Sequence, residues 1–308
     1  MSLRTLESVN RFINQRSESL LQKMRQFPSL TAWLLLLPAL SWLIIFFVAP
    51  LFIVLAYSFL ERGTYGGVTW QFTTENFARV FDPLYLKTFL RSVYIAIVTT
   101  VVCLLLGFPL AYYISTRPPR RRNTLLLALM IPFWTNFLIR TYAWLTILRT
   151  NTGLINVSLI SLGILDKPLP LFGNDFAILL GLVYGWLPVM VLPIYAALER
   201  LDRSLIEAAN DLYAPGSRVF LRIIWPLSLP GVVAGSMLVF IPALGAFVTP
   251  AILGGGKSLM IGNIISNQFL AAHDWPFGSA LSTLMMGLML FATLVYFRST
   301  RRGEEIEK

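Results

Sequence analysis

The sequence has one cysteine, Cys103, one histidine, His273, and few charged residues, which make up 13% of its 308 positions. A lone cysteine excludes a disulfide framework. With one histidine, a histidine metal site or a histidine-based catalytic triad lacks its parts. We therefore predict that this chain is not an enzyme and binds neither a metal nor a cofactor of its own.

A nucleotide site is also excluded, although Gly256, Lys257 and Ser258 match the end of a phosphate-binding loop. The glycine that should open the motif is replaced by Ala251, and no strand is predicted before it. The segment is interpreted as a glycine-rich turn.

Apolar residues are abundant, at 56% of the chain, which is more than a soluble domain of this size can bury. Several runs reach the roughly 20 apolar residues that cross a bilayer. Six such runs are present, at about 31–60, 89–116, 124–148, 176–198, 227–253 and 277–297. We predict an all-α integral membrane protein: an amphipathic arm on the membrane surface at 1–30, a six-helix domain over 31–298, and a tail at 299–308.

The net charge of +10 is distributed as a topology signal rather than as a nucleic-acid surface. Lysine and arginine are concentrated in the N-terminal arm, at 117–122, at 200–222 and in the tail, and are sparse in the other connections. Because positive connections stay in the cytoplasm, we predict that both termini and the 200–226 segment are cytoplasmic. Membrane lipid, and no nucleic acid, is the expected surrounding.

The third run contains Arg140 in "PFWTNFLIRTYAW", and a charge inside a membrane span is costly. A continuous helix would place Phe133, Asn136, Phe137, Arg140 and Trp144 on one polar and aromatic face. Either this face lines a pathway, or Arg140 snorkels or pairs with a neighbouring chain. Aromatic residues of the fourth run either bind an organic cation or pack. The candidate pathway residues are Trp134, Asn136, Arg140, Trp144, Tyr184 and Trp186.

The hydrophilic insert "LIEAANDLYAPG" interrupts two apolar runs. It predicts a short helix from about Ser204, with an apolar stripe formed by Leu205, Ala208, Ala209 and Leu212. Small residues allow another surface to approach closely, and Glu207 supplies a charge that orients it. We interpret the insert as a plug for a cytoplasmic partner.

This segment resembles the EAA loop of the membrane subunits of type I ABC importers. The resemblance implies that the loop docks on an ATPase subunit and couples ATP hydrolysis, with ATP and Mg²⁺ held by that subunit, to alternating access. The matching or neighbouring positions are Glu207, Ala208, Ala209, Asp211, Leu212, Tyr213, Ala214, Gly216, Phe220 and Pro226.

Two positions depart from the family pattern: Tyr213 replaces the loop glycine, and Trp225 replaces the leucine before Pro226. Glycine suits the left-handed residue that ends a helix, and tyrosine does not. Either the turn moves to Pro215 and Gly216, or Tyr213 makes its own contact with the ATPase.

Further segments, "DPLY", "PFWTNFLIRTYAW", "SLMIGN" and "DWPFG", are similar to permeases of bacterial spermidine/putrescine importers. The similarity implies an inner-membrane location, a second related permease, two ATPase subunits and a periplasmic binding protein. Amino-acid or opine-like cargo stays open because no acidic residue lies deep within a span, and an ion-driven carrier or channel is the rival class. Candidate docking residues for the binding protein are Asp82, Tyr85, Asp274 and Trp275.

Overall fold

The computed structural model of the chain describes residues 28–306, so most of the predicted surface arm lies outside the described residues. The described part is mostly helical, and it divides into two compact units, one ending at Tyr57 and one beginning at Ser58.

The first unit contains the first apolar run. It consists of α1 (Pro28–Leu43), a π-helical turn (Ile44–Val48) and α2 (Ala49–Tyr57). The stretch Leu36–Tyr57 is long and apolar enough to cross a membrane, as predicted.

The second unit begins with a small cap that precedes its first long helix. An antiparallel pair, β1 (Leu60–Arg62) and β2 (Val68–Phe72), is followed by α3 (Glu75–Val80). The buried side-chain amide of Asn76 donates hydrogen bonds to the carbonyls of Ser58 at 3.2 Å and Leu60 at 2.8 Å. One buried amide thus ties α3 to the start of the cap.

The second unit is built on long apolar helices joined by shorter ones. The long helices are α4 (Pro83–Ser115), α8 (Asp175–Glu199), α11 (Trp225–Leu244) and α14 (Trp275–Ile306). The shorter ones are α5 (Pro119–Trp134), α6 (Phe137–Leu148), α7 (Leu154–Ser161), α9 (Arg203–Asp211), α10 (Gly216–Val219), α12 (Val248–Leu253) and α13 (Ile261–Leu270).

Helices α4, α8 and α11 form the core, and small residues let their backbones approach. A Cβ atom added at Gly231 would lie 2.5 Å from the Pro193 carbonyl oxygen, and one at Gly235 would lie 2.9 Å from that of Met190. Since lipid gives helices no hydrophobic reason to associate, such close van der Waals packing stabilises the bundle.

Two predicted spans are not continuous helices. The third is broken between α5 and α6, whose axes meet at 85°. The fifth begins earlier than predicted, at Gly216, and its long helix ends at Leu244, so that α12 is a separate piece. Gly245 ends the long helix, and the Asn263 side chain donates a 2.7 Å hydrogen bond to the Phe247 carbonyl in the break. Such breaks persist in a membrane where protein groups satisfy the freed backbone.

Candidate functional site

The start of α9 is fixed by an N-cap. The Asp202 carboxylate accepts a 2.9 Å hydrogen bond from the Ser204 backbone N–H. This bond holds the pKa of Asp202 below its ordinary value because it favours the charged form. The helix begins at Arg203, one residue before the predicted start.

The end of α9 resolves the turn that the sequence left open. Tyr213 has a left-handed backbone, with φ of 52°. Its N–H donates to the Asn210 carbonyl at 2.9 Å, and the Ala214 N–H donates to that of Ala209 at 3.0 Å. This pair of bonds is a Schellman motif, in which a left-handed residue follows the helix. The turn therefore does not move to Pro215 and Gly216, and Tyr213 itself takes the conformation that glycine favours.

Helix α9 has a packed face and an uncovered face. Ile206, Ala209 and Ala214 pack against the core formed by α4, α8 and α11. Leu212 and Tyr213 are 82% and 94% exposed. The uncovered residues also include Leu205, Glu207, Ala208 and Asp211. The predicted apolar stripe is therefore split, because Ala209 faces the core while Leu205, Ala208 and Leu212 do not.

An aromatic cluster supports the segment that returns from α9 into the bundle. Phe220 opens a π-helical turn (Phe220–Ile224) that continues into α11. The Phe108 ring lies 5.6 Å from the Phe220 ring and 5.3 Å from the Trp225 ring. Trp225, the second departure from the family pattern, thus packs in the core, and Pro226 stands in the first turn of α11.

Polar bonds brace the base of α9. The Arg122 guanidinium lies 2.7 Å from the Glu199 carboxylate, and the Arg203 side chain donates to the Ser115 carbonyl at 3.2 Å. A cavity of about 410 Å³ lies beside them, with Ile206 and Glu207 of α9 in its wall. The start of the helix is thus held against the bundle, while its outer face is exposed.

The broken third span changes the interpretation of Asn136 and Arg140. Asn136 is the N-cap of α6 and accepts a 2.8 Å hydrogen bond from the Leu138 N–H. The expected single helical face does not exist, because Phe133 and Phe137 lie on opposite sides of the break. The Arg140 guanidinium lies 5.8 Å from the Phe137 ring of its own helix and 5.2 Å from the Phe133 ring across the bend.

The other pathway candidates divide into three places. Trp144 and Tyr184 form an edge-to-face pair at 5.4 Å. Trp134 is 76% exposed. Trp186 lines a cavity of about 170 Å³ together with Phe137, Phe247 and Thr249. The sequence analysis missed Phe247 and Thr249, although the Gly245 and Pro250 that flank them are helix-breaking signals.

Three of the four candidate docking residues make internal contacts. Asp82 caps α4 by accepting from the Leu84 N–H at 3.0 Å, and the Tyr85 ring packs 4.8 Å from the Phe277 ring. Asp274 is 1% exposed and lies 3.0 Å from the Arg79 guanidinium. Trp275 is 42% exposed. Their docking role stays a prediction, for which Trp275 offers the uncovered surface.

A second ionic contact, at the start of α4 and α8, was also missed. The Arg91 guanidinium contacts the Asp175 carboxylate and donates a 2.8 Å hydrogen bond to the Ser258 hydroxyl. This contact ties the glycine-rich turn to both helices, which agrees with its interpretation as a turn. The contact could not be predicted because its three residues are far apart in sequence.

Comparison with known proteins identifies the arrangement. The family described as "Binding-protein-dependent transport system inner membrane component" matches residues 104–302. The "Spermidine/putrescine transport system permease protein PotB" of Escherichia coli (strain K12) is 44% identical over 264 residues, which cover 85% of this chain and 94% of that protein. The protein of the same name from Salmonella typhimurium (strain LT2) is also 44% identical over 264 residues, covering 85% and 91%.

The fold is shared with a more distant solved structure. A bacterial alginate ABC transporter, solved in complex with an alginate-bound periplasmic protein, matches with a TM-score of 0.67 at 17% identity. The match covers 91% of this chain and 96% of that chain. The chain belongs to the family of binding-protein-dependent transport system inner membrane components.

Proposed function

We propose that this chain is the membrane-spanning permease subunit of an ATP-driven importer of polyamines, which it moves by alternating access. The single observation that carries the coupling part is α9, a braced helix with Glu207, Ala208 and Leu212 uncovered. The names of the relatives that are 44% identical support spermidine or putrescine as cargo.

The proposed partners follow from the same two observations. Two ATPase subunits bind ATP and Mg²⁺, and one of them receives α9 on the cytoplasmic side. A second, related permease completes the pathway, and a periplasmic binding protein delivers the cargo. In this topology both termini lie in the cytoplasm, which agrees with the clustering of arginine at 117–122 and 200–222.

Motion of the ATPase pair reaches the bundle through the base of α9. Ile206 and Ala209 transmit displacement to the core, and Phe220 transmits it to Phe108 and Trp225. The π-helical turn that begins at Phe220 is a suitable hinge, because such turns carry a less regular hydrogen-bond ladder. The helices then reorient around a central path.

The cargo is a cation, so the pathway must stabilise positive charge without carboxylates deep within the described spans, since Asp175 and Glu199 stand at the two ends of α8. The cavity beside Trp186 offers three aromatic residues and a threonine, and Thr249 has a buried hydroxyl without a hydrogen-bond partner among the described residues. Aromatic faces attract ammonium groups, and a hydroxyl oxygen accepts from them. We assign Arg140 to bracing the helix break through Phe133 and Phe137, because its charge has the wrong sign for the cargo.

The coupling assignment is tested in proteoliposomes that contain the assembled transporter. Glu207→Lys and Ala208→Trp are expected to abolish uptake while ATP hydrolysis and membrane insertion persist. Glu75→Lys, an equal charge reversal at an exposed residue of α3, is the matched control and should transport normally. Normal uptake by both α9 variants would contradict the assignment.

The cargo is tested with the cognate binding protein and the same vesicles. Radiolabelled spermidine and putrescine are expected to bind and to be taken up, and amino acids and opine-like solutes are not. If the binding protein bound amino acids but no polyamine, the cargo assignment would be wrong, and the assignment as an importer would remain. Uptake that needs an ion gradient and no ATP would instead support a carrier.

A further inference from the structure

A groove of about 320 Å³ lies beside the connection between α4 and α5. We call it the arginine groove, and its wall consists of Tyr113, Arg117, Arg120, Arg121, Thr124 and Leu125. The cavity beside α9 is lined by the alternating neighbours Tyr112, Thr116 and Arg122. The arginine groove is therefore a separate cavity, and none of its lining residues belongs to α9.

The guanidinium groups of this groove lack acidic partners. Arg122 pairs with Glu199, but within residues 28–306 no ion pair is formed by Arg117, Arg120 or Arg121. The Arg117 guanidinium stacks 4.0 Å above the Tyr113 ring, and its buried Nε finds no hydrogen-bond acceptor in this part of the chain. A buried donor without an acceptor costs stability, so an oxygen-bearing anion would improve this site.

The start of α5 adds to the positive field. Its N-cap, Pro118, supplies no side-chain acceptor, and its first turn contains no acidic residue. The first N–H groups of a helix lack internal partners and carry partial positive charge. Arginines placed there repel that partial charge. An anion in the groove would neutralise the arginines and the partial charge of the helix start.

We propose that the arginine groove binds the phosphate of an anionic phospholipid headgroup. Arginine forks suit phosphate oxygens, and basic pockets at membrane faces attract anionic headgroups. Apolar side chains continue from the groove along the same helices: Leu106 lies two turns before Tyr113, and Leu127 and Ile131 follow Thr124 at helical spacing. All three are more than half exposed, at 53%, 57% and 58%. They form a wall for acyl chains, which a free phosphate ion would not use.

The proposal is tested by native mass spectrometry of the purified transporter, with equal amounts of phosphatidylglycerol and phosphatidylcholine. The wild type should retain phosphatidylglycerol preferentially. The triple variant Arg117→Gln, Arg120→Gln and Arg121→Gln should lose that preference by about tenfold. A matched triple, Arg298→Gln, Arg301→Gln and Arg302→Gln, removes the same charge from the C-terminal segment and should keep it.

Loss of these charges also affects topology, so a second variant retains them. The triple variant Arg117→Lys, Arg120→Lys and Arg121→Lys keeps the charge but removes the bidentate forks, and should lower the preference by about threefold. An unchanged preference in both groove variants, or an equal loss in the control triple, would overturn the proposal. If glycerol phosphate displaced the lipid, the proposal of a lipid ligand would be overturned, and the groove would be a site for free phosphate.

Discussion

Acidic residues at the two polar ends of the second unit differ in how they are bound within the chain. At the end that holds the cap, Asp274 is buried, lies 3.0 Å from Arg79, and accepts a 3.2 Å hydrogen bond from the Phe277 N–H. At the end that holds α9, Glu207 and Asp211 are exposed and form no ion pair with described residues. Asp274 therefore stabilises the chain itself. At the α9 end, Arg122 and Glu199 pair internally, whereas Glu207 and Asp211 remain available to a partner.

Backbone strain is distributed in the same way. The described part of the chain has two non-glycine residues with positive φ, His273 at 51° and Tyr213 at 52°. The His273 carbonyl accepts a 2.9 Å hydrogen bond from the Gly67 N–H of the cap. Among the described residues, the helix-ending bonds of α9 hold the Tyr213 backbone, and its ring is 94% exposed. Tertiary contact fixes the first strained residue, while local bonds fix the second and leave its ring available for recognition.

Asp274→Ala is expected to have the largest effect on stability. It leaves Arg79 without its carboxylate and the Phe277 N–H without its acceptor, at a cost of about 2 kcal/mol. A cost below that of a fully buried pair is expected because the Arg79 side chain is 39% exposed. Thermal unfolding of the purified protein in detergent measures it.

The opposite end supplies the control for this variant. Glu207→Ala removes an equally charged side chain from α9 and should leave the unfolding temperature unchanged, since Glu207 forms no ion pair with the described residues. Equal destabilisation by Asp274→Ala and Glu207→Ala would remove the contrast between the two ends.

Trp225→Leu restores the residue of the family pattern and is expected to cost about 1 kcal/mol, because it removes the ring contacts with Phe108 and Phe220. Transport should fall with it, since this cluster supports the segment that leaves α9. Trp134→Leu is the matched control for stability, because Trp134 is 76% exposed and its replacement should leave the unfolding temperature unchanged. Thermal unfolding of both variants distinguishes them, and equal losses of stability would contradict a special role for the cluster.

The apolar runs and the alternation of basic connections predicted most of the helices of this fold. The predicted helix bounds were wrong where single side chains redirect the backbone. The fourth span, 176–198, differs little from α8 because its apolar run is bounded by Asp175 and Glu199. The third span looks continuous because its interruption, Thr135 and Asn136, is uncharged and only two residues long within an apolar run. What ends it is local chemistry: the Thr135 hydroxyl donates to the Pro132 carbonyl, and Asn136 caps α6.

The candidate site could also be predicted in part from the sequence. The EAA pattern gave the position of α9 and its exposed acidic residue. The choice between a moved turn and a strained Tyr213 depended on two backbone hydrogen bonds, which no residue pattern specifies. The role of Trp225 depended on Phe108, more than one hundred positions earlier, and the bracing of Arg140 depended on an 85° bend.

Tyr213 separates backbone geometry from side-chain recognition at the α9 end. Tyr213→Gly should stabilise the end of α9 by about 0.5–1 kcal/mol, because glycine adopts a positive φ without strain. Tyr213→Ala keeps the strain and removes only the ring. If the ring contacts the ATPase, both variants lose coupled uptake. Unimpaired uptake in both would assign Tyr213 to the turn alone. Hydrogen exchange of the α9 amides measures the stability change.

The smallest expected effect is the pH dependence of the α9 cap. The folded-state pKa of Asp202 is lowered by its hydrogen bond with Ser204, so the cap stabilises α9 above the ordinary aspartate pKa of about 3.9. That stability is lost as the pH falls through the lowered pKa, because protonation removes the acceptor charge. Amide exchange in α9, corrected for its intrinsic pH dependence, should therefore accelerate on acidification. Asp202→Asn retains a capping oxygen that does not titrate, and its α9 should lack this acceleration. Asp274 lies at the other end, so the same α9 amides should respond to acid equally in wild type and in Asp274→Asn. A change in that response would mean that the two ends are coupled through the bundle at rest.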